Sequence, residues 1–175
     1  MATLSEAASR LAIVSASVAT YCDRAEHLEA TDRESIGTAG AELRDLAFEL
    51  AATNNIDLVE SYRARLLLVE RRHPLYPAGG FVAANEIGHQ GVTWRQLQSV
   101  QWDHDRHYHP DVLGLSRYEQ LRHYAFHLAK LAGAATQAAD KDPSDFLERR
   151  LPDLLLFGLK LATLVNEQLP EQPLA

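Results

Sequence analysis

The sequence predicts an all-α protein, a helical bundle of about six helices, and three observations carry that prediction. Ala, Leu, Arg, Glu and Gln dominate while Val, Ile and Thr are sparse, and unbranched side chains lose little rotamer freedom in a helix. Apolar residues recur at spacings of three and four, the period of a helix with one buried face. Helix-start signals punctuate the chain: Thr31 with Glu34, Thr93, Ser116 with Glu119, and Asp142 before Pro143.

The first helix is read over residues 3 to 29, with Leu4, Leu11, Val14 and Val18 on its inner side. Thr31-Asp-Arg-Glu34 has the form of a capping box opening the second helix, which Gly37 and Gly40 weaken and Asn54-Asn55 end. A third helix runs from Ile56 to Arg72 and stops at His73-Pro74. Residues 1–73 therefore form an N-terminal region of three helices. Residues 74–92 hold six breakers, Pro74, Pro77, Gly79, Gly80, Gly88 and Gly91, and read as an ordered loop anchored by Phe81 and Ile87.

Residues 93–169 make a second helical region. Thr93 caps a helix carrying Trp94, Leu97 and Val100, which ends at His109-Pro110. Ser116 and Glu119 open the next, where Leu121, Ala125, Leu128 and Ala132 form the inner stripe and His123, His127 and Lys130 the opposite face. Gly133 and the alanines after it suit close helix contact. The last helix is read from Ser144 to Gln168, kinked or restarted at Pro152. Its middle, Leu154 to Ala162, is apolar nearly all round, so it is expected to be central or to lie at a subunit interface. The tail from Pro170 is expected to fray. Both regions are expected to share one compact domain.

With 46% apolar and 23% charged residues among 175, the chain can bury a sizeable core and is not of disordered type. A formal charge of −7 argues against a nucleic-acid binder held by phosphate contacts. The single cysteine, Cys22, excludes an internal disulfide. No basic and apolar leader opens the sequence, and no stretch approaches the ~18 apolar residues of a membrane span. A cytoplasmic protein without membrane contact is the expectation.

Chemistry is expected where the histidines gather. Five of the eight fall between His104 and His127. His123 and His127 sit at i and i+4, the spacing that lets two imidazoles meet one metal, and His104, His107 and His109 lie upstream among Asp103, Asp105 and Asp111. A zinc, iron or manganese site using His104, His107, His123 and His127 follows from that pattern, with packed or solvated histidines as the alternative. Glu42, Asp45 and Glu49 share a helix face and Glu60 opens the next helix. These acids form either a hard-cation site or a solvated face paired with Arg44, Arg63 and Arg65. A short echo pairs Leu43–Ala51 with Leu121–Ala129, matching Asp45 to His123 and Glu49 to His127.

Two resemblances follow from these motifs. Arg122-x-x-x-x-His127 resembles the arginine–histidine pattern of HEPN-type ribonucleases. From Thr93 to Gln168 the layout resembles the MazG-like, all-α nucleoside triphosphate pyrophosphohydrolases. Trp94-Arg-Gln-Leu-Gln-Ser-Val-Gln-Trp102 resembles their leading helix, Leu121–Ala132 stands where their Glu-Glu-x-x-Glu motif belongs, and Arg150-Leu-Pro-Asp153 resembles their Glu-x-x-Asp. The resemblance implies a homodimer with a nucleotide or other phosphorylated ligand. Where that family carries magnesium-binding glutamates, this chain has Phe126, His127 and Lys130, and Arg150 replaces a further Glu. A lysine ammonium among the ligands repels magnesium. The expectation is a ligand-binding set of His123, His127, Lys130, Arg150 and Asp153 without ordinary pyrophosphohydrolase activity. A non-enzymatic dimeric interaction module and a histidine-dependent metalloenzyme are the competing readings.

Overall fold

A computed structural model describes residues 3–22 and 30–174. Every extended element among them is helical: α1 (Leu4–Cys22), α2 (Ala30–Thr53), α3 (Leu58–Arg71), α4 (Trp94–Tyr108), α5 (Pro110–Leu113), α6 (Arg117–Asp140), α7 (Ser144–Arg149) and α8 (Leu151–Leu164). No helix among the described residues is long and apolar enough to cross a membrane. The expected end of the first helix, and the Thr31 side chain of the expected capping box, lie outside the described residues.

Local chemistry sets most boundaries. Asn55 takes a left-handed conformation (φ 55°) after α2, the usual residue and geometry for closing a helix. Asp57 then caps α3 by accepting from the Glu60 N–H, and Thr93 caps α4 by accepting from the Gln96 N–H. Ser116 and Glu119 form a complete reciprocal capping box on α6. The loop before α4 carries two 3-10 turns, Ala78–Gly80 and Ala83–Glu86, and buries Ala83, Ala84 and Ile87.

Two elements exceed the six expected. His109-Pro110 does end α4, but Pro110 then occupies the first turn of the short α5, a position where its missing N–H costs nothing. The last helix is divided at Arg150 into α7 and α8, with Pro152 in the first turn of α8. α8 ends at Leu164 rather than Gln168, and the tail, as far as the described residues run, is tied down rather than frayed. Leu169 is buried, the Arg95 N–H donates to the Pro170 carbonyl, and the Leu174 N–H donates to the Val92 carbonyl. The tail thus satisfies an orphan donor at the start of α4.

α8 is the axis of the molecule. It packs against α2, α3, α4 and α6, while α1 packs against α6 and α2. Leu151, Leu154, Leu155, Leu159 and Leu161 are fully buried, in one apolar cluster that draws on α1 to α4, α6 and α7 as well. Its near-uniform hydrophobicity is therefore accounted for within the chain, and the N-terminal helices share the core of the C-terminal ones. α2 and α8 cross at Gly40 and Gly158. A Cβ on Gly158 would stand 2.6 Å from Arg44 Cγ and 2.9 Å from the Gly40 carbonyl oxygen. Gly40 is thus a contact residue rather than a weak point. Gly133, by contrast, has open space around it, so the close contact expected there lies elsewhere.

Candidate functional site

A cavity of about 310 Å³ opens between α3, the α4–α5 junction, α6 and α8. α3 contributes Arg65 and Val69. The α4–α5 corner contributes His104, His109 and Val112. α6 contributes His123, His127 and Lys130, and α8 with its preceding residue contributes Arg150, Asp153, Phe157 and Lys160. All five residues of the expected ligand set, His123, His127, Lys130, Arg150 and Asp153, line this one space.

The face of α6 bearing the histidines is thus not the solvent side. α6 is held between α1 and α8, so two of its faces are covered. His123 and His127 are half-buried, their ring centroids 4.8 Å apart, and His127 stacks on Phe157 of α8 at 5.2 Å. Burial, reinforced by His123, Lys130, Lys160 and His109, pushes the His127 imidazole down to about 4. Burial, followed by Lys160, lowers His123 also. Desolvation disfavours the charged imidazole, and the neighbouring ammoniums add to that effect.

Asp153 has a role that the sequence did not assign. The helix break at Arg150 leaves its neighbour Arg149 pairing with Asp145. Asp153 is buried, and Arg65 grips it through two N–H groups at 2.5 and 3.1 Å. Arg150 stands 3.9 Å from the same carboxylate. Beneath the cavity runs a buried polar chain. The Tyr62 hydroxyl donates to Gln101 Oε1 at 2.7 Å, Gln101 Nε2 donates to Asp105 Oδ1 at 3.0 Å, and Lys160 Nζ lies 2.8 Å from that oxygen. Four cationic side chains, Arg65, Lys130, Arg150 and Lys160, therefore face the cavity. Two carboxylates, Asp105 and Asp153, offset part of their charge. Lys130 makes no ion pair among the described residues.

The other expected sets separate. His107 turns to the loop, stacking on Phe81 at 4.3 Å with Nδ1 2.7 Å from the Asp103 carbonyl oxygen. It does not reach His123 or His127. Glu42 and Glu49 both engage Arg10 of α1 at 2.7 and 2.6 Å, Asp45 is exposed, and Glu60 pairs with Arg63 at 3.0 Å. Glu42 and Glu49 share Arg10 while Glu60 is held by Arg63, and these acids do not converge as metal ligands. Arg122 lies over the Tyr118 ring rather than beside His127 in the cavity. Among the described residues, the His and carboxylate group with metal-ligand spacing is His104, Asp105 and His109.

Sequence reasoning passed over Glu70, Gln101 and Lys160, and read Arg65 only as a partner for the acids of α2 when it holds Asp153. Two of them left a signal. Tyr62, Leu66 and Glu70 follow one another at i+4 on the buried stripe of α3, so an acid stands in an apolar register. Lys160 is the single charge within the apolar run of α8, and a charge so placed needs a partner. No family model, curated protein or solved structure matches this chain.

Proposed function

We propose that this cavity binds an anionic, phosphorylated ligand of the nucleotide class. The chain would then be a divergent MazG-like helical protein without ordinary magnesium-dependent pyrophosphohydrolase activity. The observation that carries the reading is the convergence of Lys130, Arg150, Arg65 and Lys160 on one half-enclosed space also walled by two largely neutral histidines. Arginine forks and lysine ammoniums are the usual partners of phosphate oxygens. Neutral imidazoles supply hydrogen bonds without adding to the mutual repulsion of the cations.

The donor set does not fit magnesium. That ion demands several hard oxygens in octahedral array. Asp153 is the carboxylate on the cavity wall, and Arg65 occupies both of its oxygens. A clamp that activates water on a triphosphate therefore lacks its ligands, and binding rather than hydrolysis is the supported activity.

Calorimetric titration of the chain in EDTA with ATP, ADP and inorganic pyrophosphate tests the reading. Binding is expected, and Lys130→Ala and Arg150→Ala should each weaken it about tenfold, the loss of one charge-assisted contact. Both side chains are exposed enough to leave the core untouched. Absence of heat with every phosphorylated ligand, or affinities indifferent to both substitutions, would overturn it.

A further inference from the structure

On the floor of the same cavity, at the α4–α5 corner, lies a second arrangement that anion binding does not use. His104 is 1% exposed, and its Nδ1 lies 2.9 Å from Oε1 of Glu70, itself fully buried. The other Glu70 oxygen, Oε2, is buried with no hydrogen-bond partner. A buried carboxylate with one oxygen unanswered is costly unless a positive charge lies close by. Lys160 does not supply it, since its ammonium is committed to Asp105. With Nδ1 held by Glu70, His104 presents Nε2. One ring nitrogen each of His104 and His109 and one carboxylate oxygen of Asp105 lie within 4.8 Å of one another. Gln101 and Lys160 both engage Oδ1 of Asp105, which leaves its second oxygen for a ligand.

We propose that His104, His109 and Asp105 form a binding site for one divalent transition-metal ion of the zinc class, with Glu70 as the outer carboxylate that orients His104. A carboxylate hydrogen-bonded to the far nitrogen of a histidine fixes its tautomer, aims its ring and raises its basicity towards a metal. Two imidazoles and one carboxylate suit zinc and its neighbours rather than magnesium or calcium. Beside the ion, the carboxylates of Glu70 and Asp105 offset the Lys160 ammonium, while the other cations of the cavity, Arg65, Lys130 and Arg150, favour an anion at the open coordination position. Ligand atoms on one ion lie at most about 4.2 Å apart, twice a bond of about 2.1 Å. The half-exposed His109 therefore closes the site by a small inward rotation. The remaining coordination position opens into the cavity, which His104 and His109 both line.

The test uses the full chain without a histidine tag, stripped with EDTA and titrated with zinc against a chromophoric chelator in phosphate-free buffer. One equivalent is expected to bind. Glu70→Gln should lower affinity about ten- to hundredfold, and His109→Ala should lower it further, as loss of a ligand outweighs loss of its support. His89→Ala, on the surface beside Arg63, should change nothing. Cobalt(II) added to the unsubstituted chain should give the visible bands of a nitrogen and oxygen site of low coordination number, a readout independent of whether any variant folds. No stoichiometric zinc, an affinity unaffected by His109→Ala, or an affinity lost instead on His123→Ala would each overturn the proposal. Because the anion titration is run in EDTA and this one without phosphate, either can fail without the other.

Discussion

His127 illustrates how its surroundings change a side chain. Its pKa is held near 4 against an ordinary 6.5, chiefly by burial, with His123 and Lys130 on its own helix, His109 at the α4–α5 corner and Lys160 on α8 adding repulsion. Above pH 6.5 both folded and unfolded chains carry it neutral. Between 6.5 and 4 the unfolded chain takes up a proton that the folded chain refuses, so stability falls as pH falls through that window. Urea unfolding in EDTA at about pH 7.5 and about 4.5 should therefore show a smaller loss for His127→Gln than for the unsubstituted chain, the other titrating groups cancelling in the difference. Equal losses would mean that the imidazole is solvated. At the same scale, Asp153 shows what residue patterns hide. The Arg65–Asp153 pair joins α3 to α8 across 88 positions, and no local spacing announces such a pair.

At the level of elements, the chain was largely legible because caps are local. Asn55, Asp57, Thr93, Ser116 and Glu119 close or open their helices with the groups their sequence offers. What stayed hidden depends on distant partners. The tail is ordered by donors at the start of α4, and the inner stripe of α6 widened because α8 covers the histidine face. Glycine gives the clearest contrast. In sequence Gly133 and Gly158 look alike, each within a helical segment of small or apolar residues. Gly158→Ala should destabilise by about 1–3 kcal/mol, since backbone and the Arg44 stem stand in the way of its Cβ. Gly133→Ala, with open space and an ordinary helical position, should stabilise by about 0.5–1 kcal/mol. Thermal or denaturant unfolding of the two variants reads the opposite signs directly, and a Gly158→Ala variant that is not destabilised would refute the close crossing of α2 and α8.

Across the whole molecule, the acidic composition and the cationic cavity are reconciled by distribution. The formal charge is −7, yet Arg65, Lys130, Arg150 and Lys160 are gathered from α3, α6 and α8 around one space. Such a field draws small anions inward while an acidic exterior disfavours long polyanions. The five residues expected at the site line one cavity because His123, His127 and Lys130 share a face of α6 while Arg150 and Asp153 stand at the start of α8. Arg65 and Lys160 were not legible as site residues, since only the packing of α3 and α8 brings them there. The most direct measurement is histidine side-chain NMR of the EDTA-treated protein titrated with pyrophosphate. Resonances of His123 and His127 should shift in a saturable way while those of the exposed His89 stay fixed. A titration that leaves His123 and His127 unmoved, or moves all histidines alike, would contradict an anion-binding cavity.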